Sequence, residues 1–253
     1  MDRRTYLGTA GIAGLTSVAG CLGGDGENTG DTDDTDTVLG NPDVRRGDPS
    51  YPIHGEEFPS FSLQDPIAEE TVSLEDFVGE RPFVITYFYS SCPDGMCQQL
   101  LQHFHRIQED AMDSDYADEL GLLAVTFDPD RDTADPLRSY GTQMGIDVDA
   151  DHWHFLRPAD NETAKTLLKE TFGLPLERDD EQSEGSANES TNESANESSD
   201  SGGEYTFTHS ALVQLVNDRG IVERAYPRAS NQRETVNTQV MVEDARTVVG
   251  VTE

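Results

Sequence analysis

Basic residues are scarce in this chain. Lys and Arg number 17 against 50 Asp and Glu among 253 residues, which gives a formal net charge of -33. Such a surface repels a phosphate backbone, so nucleic acid is excluded as a partner. Acidic residues also interrupt segments with a globular composition, such as 108–118 and 147–151. This distribution is typical of a halophilic surface. Such a surface is tolerated at high salt because the salt screens the repulsion between its charges.

A long hydrophobic run is also missing. The uncharged, Gly- and Ala-rich stretch that ends at Gly20 is too short and too weakly apolar to span a bilayer as a helix, and no later segment could do so. It is preceded by Arg3-Arg4, an aromatic residue and a leucine, which resemble a twin-arginine export signal. We therefore expect an exported protein.

Cysteine is rare as well, and the first of three cysteines closes a lipobox-like sequence, Val18-Ala19-Gly20-Cys21. In a lipobox Cys21 is lipidated and becomes the new N-terminus; a plain signal peptide with a chance cysteine is the alternative. We predict a signal peptide over 1–21, a disordered acidic tether over 22–50, and anchoring to the outer face of the cytoplasmic membrane.

A globular composition begins near Tyr51, and the length predicts one domain over 51–253. The apolar, β-branched and aromatic run Phe83–Tyr89 indicates a central strand buried on both faces. Apolar residues at helical spacing follow the Cys92–Cys97 loop. Further predicted elements are strands at 120–127, 153–156, 211–216 and 221–226 and helices at 136–144, 162–172 and 235–249. The pattern is that of an α/β fold, with an acidic low-complexity insertion over 177–204.

The two remaining cysteines, Cys92 and Cys97, lie in one loop between a predicted strand and a helix. The positive end of a helix dipole favours thiolate, which is both the nucleophile of disulfide exchange and a soft ligand that selects Cu(I). The loop therefore predicts redox or copper chemistry. A purely structural disulfide is the alternative, but so short a loop gains little closure entropy.

Three motifs occur in order: the apolar strand leading to Cys92-Pro93-Asp94, the segment Val125–Thr133 with its Asp-Pro turn, and Phe207-Thr208-His209-Ser210-Ala211 before a hairpin. Together they resemble the Sco/SenC family of copper-delivery proteins, which serve cytochrome oxidase assembly. The resemblance covers about Phe58 to Val249 apart from the insertion.

This resemblance implies a thioredoxin-like fold with a central mixed sheet flanked by helices. It also implies copper bound by Cys92, Cys97 and His209, and a copper-accepting oxidase subunit as the partner. The family usually places three residues between its cysteines and a proline after the second, whereas this chain has four residues between them and then Gln98. We expect Gly95 to let the backbone absorb the extra residue.

A second function stays open, since Cys92 and Cys97 could act as the redox pair of an extracytoplasmic thiol-disulfide oxidoreductase with a purely structural His209. Whether the protein is an enzyme is therefore undecided. Peroxide reduction ranks last, because the Cys-Pro-Asp loop lacks a peroxidatic context.

Other candidate sites have simpler explanations. His103 and His105 are predicted to be surface histidines, and His152 and His154 share a strand face without soft ligands nearby. The Asp128-x-Asp130-x-Asp132 pattern lacks the Gly and Glu of a calcium loop. Sequons for N-glycosylation occur at Asn161, Asn188, Asn192 and Asn196.

Overall fold

The computed structural model describes residues 36–42, 47–180, 205–230 and 237–251, all within one unit, Asp33–Glu253. The predicted signal peptide with Cys21, the first part of the tether and the three Asn-Glu-Ser sequons lie outside the described residues. Among the helices that are described, none is long and apolar enough to cross a membrane.

Nine strands and four α-helices make up the described part of the chain. The strands are β1 (Ser62–Asp65), β2 (Glu70–Ser73), β3 (Phe83–Phe88), β4 (Gly121–Thr126), β5 (Trp153–Leu156), β6 (Leu176–Asp180), β7 (Tyr205–His209), β8 (Leu212–Val216) and β9 (Val222–Pro227). The helices are α1 (Met96–Asp113), α2 (Ala134–Gln143), α3 (Asn161–Thr166) and α4 (Thr238–Val249).

A five-stranded mixed sheet forms the centre, in the order β5-β4-β3-β8-β9. Strands β3, β4 and β5 are parallel, while β8 is antiparallel to both β3 and β9. Every residue of β3 and β4 is buried, as their continuous apolar sequences predict. Helix α1 packs against both strands and against α4. The thioredoxin-like α/β architecture expected from the sequence is confirmed.

Helix α1 buries one apolar face on the sheet. Leu100, Leu101, Phe104 and Ile107 recur every three or four residues and are fully buried. The prediction that His103 is a surface residue is wrong. Its ring is partly buried, with Nδ1 2.7 Å from Thr238 Oγ1 and Nε2 2.7 Å from the Ala229 carbonyl oxygen. The ring thus joins α1 to the start of α4.

The predicted helix over 162–172 is α3 followed by a π-helical turn, Leu167–Thr171. Gly173 follows the C-cap residue Phe172 and has a φ of +67°. A Cβ atom there would lie 2.0 Å from the Ser50 carbonyl oxygen, so the two chain segments meet at a distance that glycine alone allows.

The second part of the predicted tether is corrected, because residues 36–40 dock on the β8–β9 hairpin. The backbone N–H groups of Val38 and Leu39 donate to the carboxylate of Glu223, at 2.8 and 2.9 Å. Asn217 donates to the same carboxylate and to the Asp36 carbonyl. Specific acceptors therefore hold a segment whose composition alone indicates a tether.

The start of the predicted insertion is corrected as well. Residues 177–180 belong to β6, which pairs in antiparallel register with β7, from Leu176 opposite His209 to Asp180 opposite Tyr205. Because these residues are polar, the sequence does not indicate a strand. The strand forms through pairing with β7 rather than through burial of both faces. The rest of the insertion, 181–204, lies outside the described residues.

Candidate metal centre

The two cysteines lie where the central strand β3 gives way to helix α1. Cys92 occupies the loop after β3, and Cys97 is the second residue of α1. Gly95 precedes the helix in the left-handed conformation, with φ 74° and ψ 4°. That conformation is strained for L-residues but open to glycine, so Gly95 lets four residues fit between the cysteines, as expected.

His209 reaches the cysteine loop from a different element, the end of β7. Its ring packs against Phe127 and Tyr89, with centroids 4.8 and 5.7 Å away, respectively. Its Nε2 atom lies 3.6 Å from Cys97 Sγ. These two aromatic residues follow the ends of β4 and β3, so the parallel sheet places the surface on which the imidazole rests.

The structure thus brings together Cys92, Cys97 and His209, the three residues predicted as a site. One possible ligand atom from each lies within 4.8 Å of the other two. For an ion such as zinc, bonds of about 2.3 Å to sulfur and about 2.0 Å to nitrogen at a tetrahedral angle separate the two ligand atoms by roughly 3.6 Å. The Cys97–His209 separation matches this span, and the donor set of two sulfurs and an imidazole fits copper.

The two thiols differ in environment. A hydrogen bond from Cys97 and a further one from His209 lower the pKa of Cys92 to about 6, against the opposing effect of partial burial. Burial, followed by the nearby Cys92 sulfur, raises the pKa of Cys97 well above its ordinary value. At neutral pH the site therefore holds one thiolate, at Cys92, and one thiol, at Cys97.

Asp94 is a site residue that the sequence analysis did not single out. Its Oδ1 atom accepts a hydrogen bond from the Met96 N–H at 3.0 Å and, when Cys92 is protonated, one from the Cys92 thiol, also at 3.0 Å; this carboxylate therefore opposes ionisation of Cys92. Partial burial opposes ionisation of Asp94, but these two donors outweigh it and lower its pKa. The carboxylate thus fixes the Cys92 side chain relative to the first turn of α1.

The Asp-Pro loop after β4 holds the start of the cysteine loop through hydrogen bonds. The fully buried carboxylate of Asp132 accepts hydrogen bonds from Ser90 N–H, from the Ser90 hydroxyl and from the Thr126 hydroxyl. Burial raises the pKa of Asp132, and these donors offset part of that rise. Because Ser90 is two residues before Cys92, this network holds the entry to the loop.

The other candidate residues engage in unrelated contacts. His152 lies 3.3 Å from Gln108 on α1, whereas His154 lies 3.2 Å from Asp65 on β1, so these two histidines have different partners. His105, predicted as a surface residue, has 24% of its side chain exposed, with Nε2 3.5 Å from Glu109 and its ring beside Gly145. Asn161 donates its side-chain amide to Asp130.

A five-stranded mixed sheet with a cysteine pair at the start of its first connecting helix defines a thioredoxin-like protein. The SCO1/SenC family model matches residues 54–242, and the chain therefore belongs to that family. No curated protein matches the chain.

Several solved structures of Sco-family proteins are similar in fold to this chain. Bradyrhizobium japonicum ScoI with copper bound is 19% identical, covers 76% of this chain and 99% of its own, and has a TM-score of 0.52. Yeast Sco1 with copper bound is 20% identical, with coverages of 74% and 88% and a TM-score of 0.50. BsSco, described as a Sco-family cytochrome c oxidase assembly protein with a disulfide switch, is 16% identical, with coverages of 83% and 100% and a TM-score of 0.53.

Proposed function

We propose that this protein binds copper through Cys92, Cys97 and His209 and serves the copper site of a cytochrome oxidase, by delivering copper to it or by reducing its cysteines. The observation that carries the proposal is the convergence of the three ligand atoms within 4.8 Å. Copper is the cargo here, and the acceptor is an oxidase subunit.

Two further observations support copper as the cargo. Thiolates select Cu(I), and the addition of an imidazole produces a site that also tolerates Cu(II). Family members from Bradyrhizobium japonicum and yeast carry copper in their structures. The four-residue cysteine spacing is compatible with this function, since Gly95 absorbs the extra residue.

A copper titration of the purified chain tests the proposal. We expect one equivalent of copper to bind, with a thiolate-to-copper absorption band for Cu(II). Cys92→Ser and Cys97→Ser should each abolish copper binding, whereas His105→Ala, a partly buried histidine outside the site, should bind as the parent does. Absence of copper binding by the parent would disprove the proposal.

The unequal thiols favour a second function, thiol-disulfide exchange without copper delivery. Cys92, with its pKa of about 6, would attack a partner disulfide, and Cys97 would resolve the mixed disulfide. The requirement for His209 separates the two functions. For copper delivery, His209→Ala should weaken Cu(II) binding and leave the dithiol-disulfide equilibrium largely intact; equal copper affinity in this variant would favour the oxidoreductase.

We further propose that the protein is exported by a twin-arginine signal and anchored through lipid on Cys21 to the outer face of the cytoplasmic membrane. The supporting observations are the paired arginines and the lipobox-like sequence. Cys21→Ser should release the protein from membranes or leave it uncleaved. Unchanged membrane association would contradict the anchor.

A further inference from the structure

His209 is presented to the cysteines by an element that stands apart from the central sheet. Strands β6 and β7 form a two-stranded sheet of their own, and among the described strands each pairs only with the other. Because strand residues alternate faces, Tyr205, Phe207 and His209 lie on one face of β7. The position of His209 therefore depends on how this face is attached to the body of the protein.

One attachment is aromatic. The Phe207 ring packs edge-on against Tyr89 and Phe127, with centroid distances of 5.2 and 5.4 Å. Edge-to-face pairs form over a range of centroid distances, about 4.5–7 Å, so these contacts hold the face down but fix its position along the surface less closely than a hydrogen bond does. Phe207 also donates its N–H to the Tyr89 hydroxyl, but at 3.4 Å this hydrogen bond is long, so a stronger directional contact is needed to fix the register.

That contact lies at Tyr205, at the end of β7 opposite to His209. The Tyr205 hydroxyl donates to Asp128 Oδ1 at 2.6 Å, and the Asp128 side chain is fully buried. Arg131 Nε donates to the other oxygen of that carboxylate, while Arg131 Nη1 donates to the Tyr205 carbonyl oxygen at 3.1 Å. We call Tyr205, Asp128 and Arg131 the latch.

Two guanidinium groups, from different elements, lie over the Tyr205 ring. The guanidinium carbon of Arg131, from the loop after β4, lies 3.8 Å from the centroid of the Tyr205 ring. The corresponding carbon of Arg178, on β6, lies 3.7 Å from the same centroid. Hence the Tyr205 side chain is held by both the body of the protein and its own hairpin.

We propose that Tyr205 is a positioning residue for the metal centre: the latch sets where the β6–β7 hairpin lies and so brings His209 Nε2 to the cysteine loop. The loop after β4 carries both Asp128 and Asp132, and Asp132 binds Ser90 at the start of the cysteine loop. One short segment thus fixes both halves of the site. This inference rests on the proposed copper function for its metal readout.

The test compares Tyr205→Phe and Tyr205→Ala with the parent in the full chain. Loss of a group that orients a metal ligand weakens metal affinity by about 10-fold to 100-fold, so we expect Tyr205→Ala to weaken Cu(II) binding by about that amount and Tyr205→Phe by less. The dithiol-disulfide equilibrium should stay largely intact, as expected for His209→Ala. Tyr226→Phe is the matched control, because Tyr226 makes a 2.6 Å hydrogen bond to Asp244 away from the site.

A double-mutant cycle separates positioning from a general loss of structure. If Tyr205 acts through His209, adding Tyr205→Ala to His209→Ala should weaken Cu(II) binding by less than about twofold. The same large loss in both backgrounds, or parental affinity in Tyr205→Ala, would overturn the proposal.

A metal-free measurement keeps this inference distinct from the copper function. In the reduced apo protein, nuclear Overhauser contacts between the His209 ring protons and the Cys97 methylene protons should be present in the parent and in Tyr226→Phe, and lost in Tyr205→Ala. Their survival in Tyr205→Ala would refute the latch. A parent that shows these contacts but binds no copper would refute the proposed function and leave the latch supported.

Discussion

The two cysteines divide the chemistry of the site between them because they differ in burial. Cys97 is fully buried on the first turn of α1, whereas Cys92 is 9% exposed and lies beside the carboxylate of Asp94. An incoming disulfide or metal donor therefore meets Cys92 first. Stabilising its thiolate at neutral pH gives the more accessible of the two sulfurs the greater reactivity.

Alkylation as a function of pH tests this division. Since the thiolate is the reacting form and the pKa of Cys92 is about 6, its reaction with iodoacetamide should rise with pH and reach half its maximum near that value. Cys97 should stay largely unmodified. Mass spectrometry of the alkylated peptides gives both rates, and Cys97→Ala should shift the Cys92 midpoint upward by removing its thiol donor. A midpoint near 9 in the parent, the ordinary value, would contradict the assignment.

For individual residues, the sequence predicted the three possible metal ligands but missed the residues that position them. Cys92, Cys97 and His209 stand in recognisable motifs. Asp94 and Tyr205 act through contacts with Cys92 and Asp128 that depend on local side-chain geometry or on residues far apart in sequence. Neither a hydropathy pattern nor a composition encodes such contacts.

Among the elements, continuous apolar strands were predictable and polar ones were not. Strands β3 and β4 are buried throughout, so their sequences identify them. Strand β6 consists of one leucine followed by charged residues, and the docked segment 36–40, Asp-Thr-Val-Leu-Gly, is too short to show a hydropathy pattern. Both are specified by a partner distant in sequence, β7 in one case and Glu223 in the other.

Removing the acceptor for the docked segment should destabilise the protein. Glu223→Ala deprives Val38 N–H, Leu39 N–H and the Asn217 amide of a fully buried carboxylate, and unsatisfied buried donors cost about 1–3 kcal/mol each before rehydration. We expect a loss of about 2 kcal/mol or more in urea unfolding.

Limited proteolysis with thermolysin should then cut at Val38 and Leu39 in the variant. Glu80→Ala, which replaces an exposed acidic residue, is the control and should behave as the parent. Parental stability together with parental resistance to cleavage in Glu223→Ala would show that the docking is unimportant.

The connection between β6 and β7 should be dispensable for folding. Deleting residues 182–202 leaves Glu181, Gly203 and Glu204 to join the strands, a length that suits a three-residue hairpin loop. A shorter loop costs less entropy to close. The free energy of unfolding should therefore stay equal or rise by up to about 2 kcal/mol. Thermal unfolding and a copper titration measure the outcome. A large fall in either would mean that the deleted residues pack on the domain.

The whole molecule combines an ordinary apolar core with an extreme surface charge. The sheet and its helices bury a continuous hydrophobic cluster, from Leu39 in the docked segment to Ala245 in α4. The chain also has a formal net charge of -33, and this charge repels itself in the compact native state more than in an expanded chain. Stability should therefore depend on how well salt screens the surface.

Salt titration tests this dependence directly. Raising KCl from about 0.1 M to about 1 M shortens the screening length from about 10 Å to about 3 Å, below the spacing of most surface charges. Relief of several kcal/mol of repulsion would raise the melting temperature by about 10 °C in a protein of this size. Sucrose at matched osmolality is the control, because it stabilises compact states by exclusion without screening charge. A melting temperature that is independent of KCl, or that rises equally in sucrose, would show that repulsion does not limit stability and that the acidic surface is no adaptation to salt.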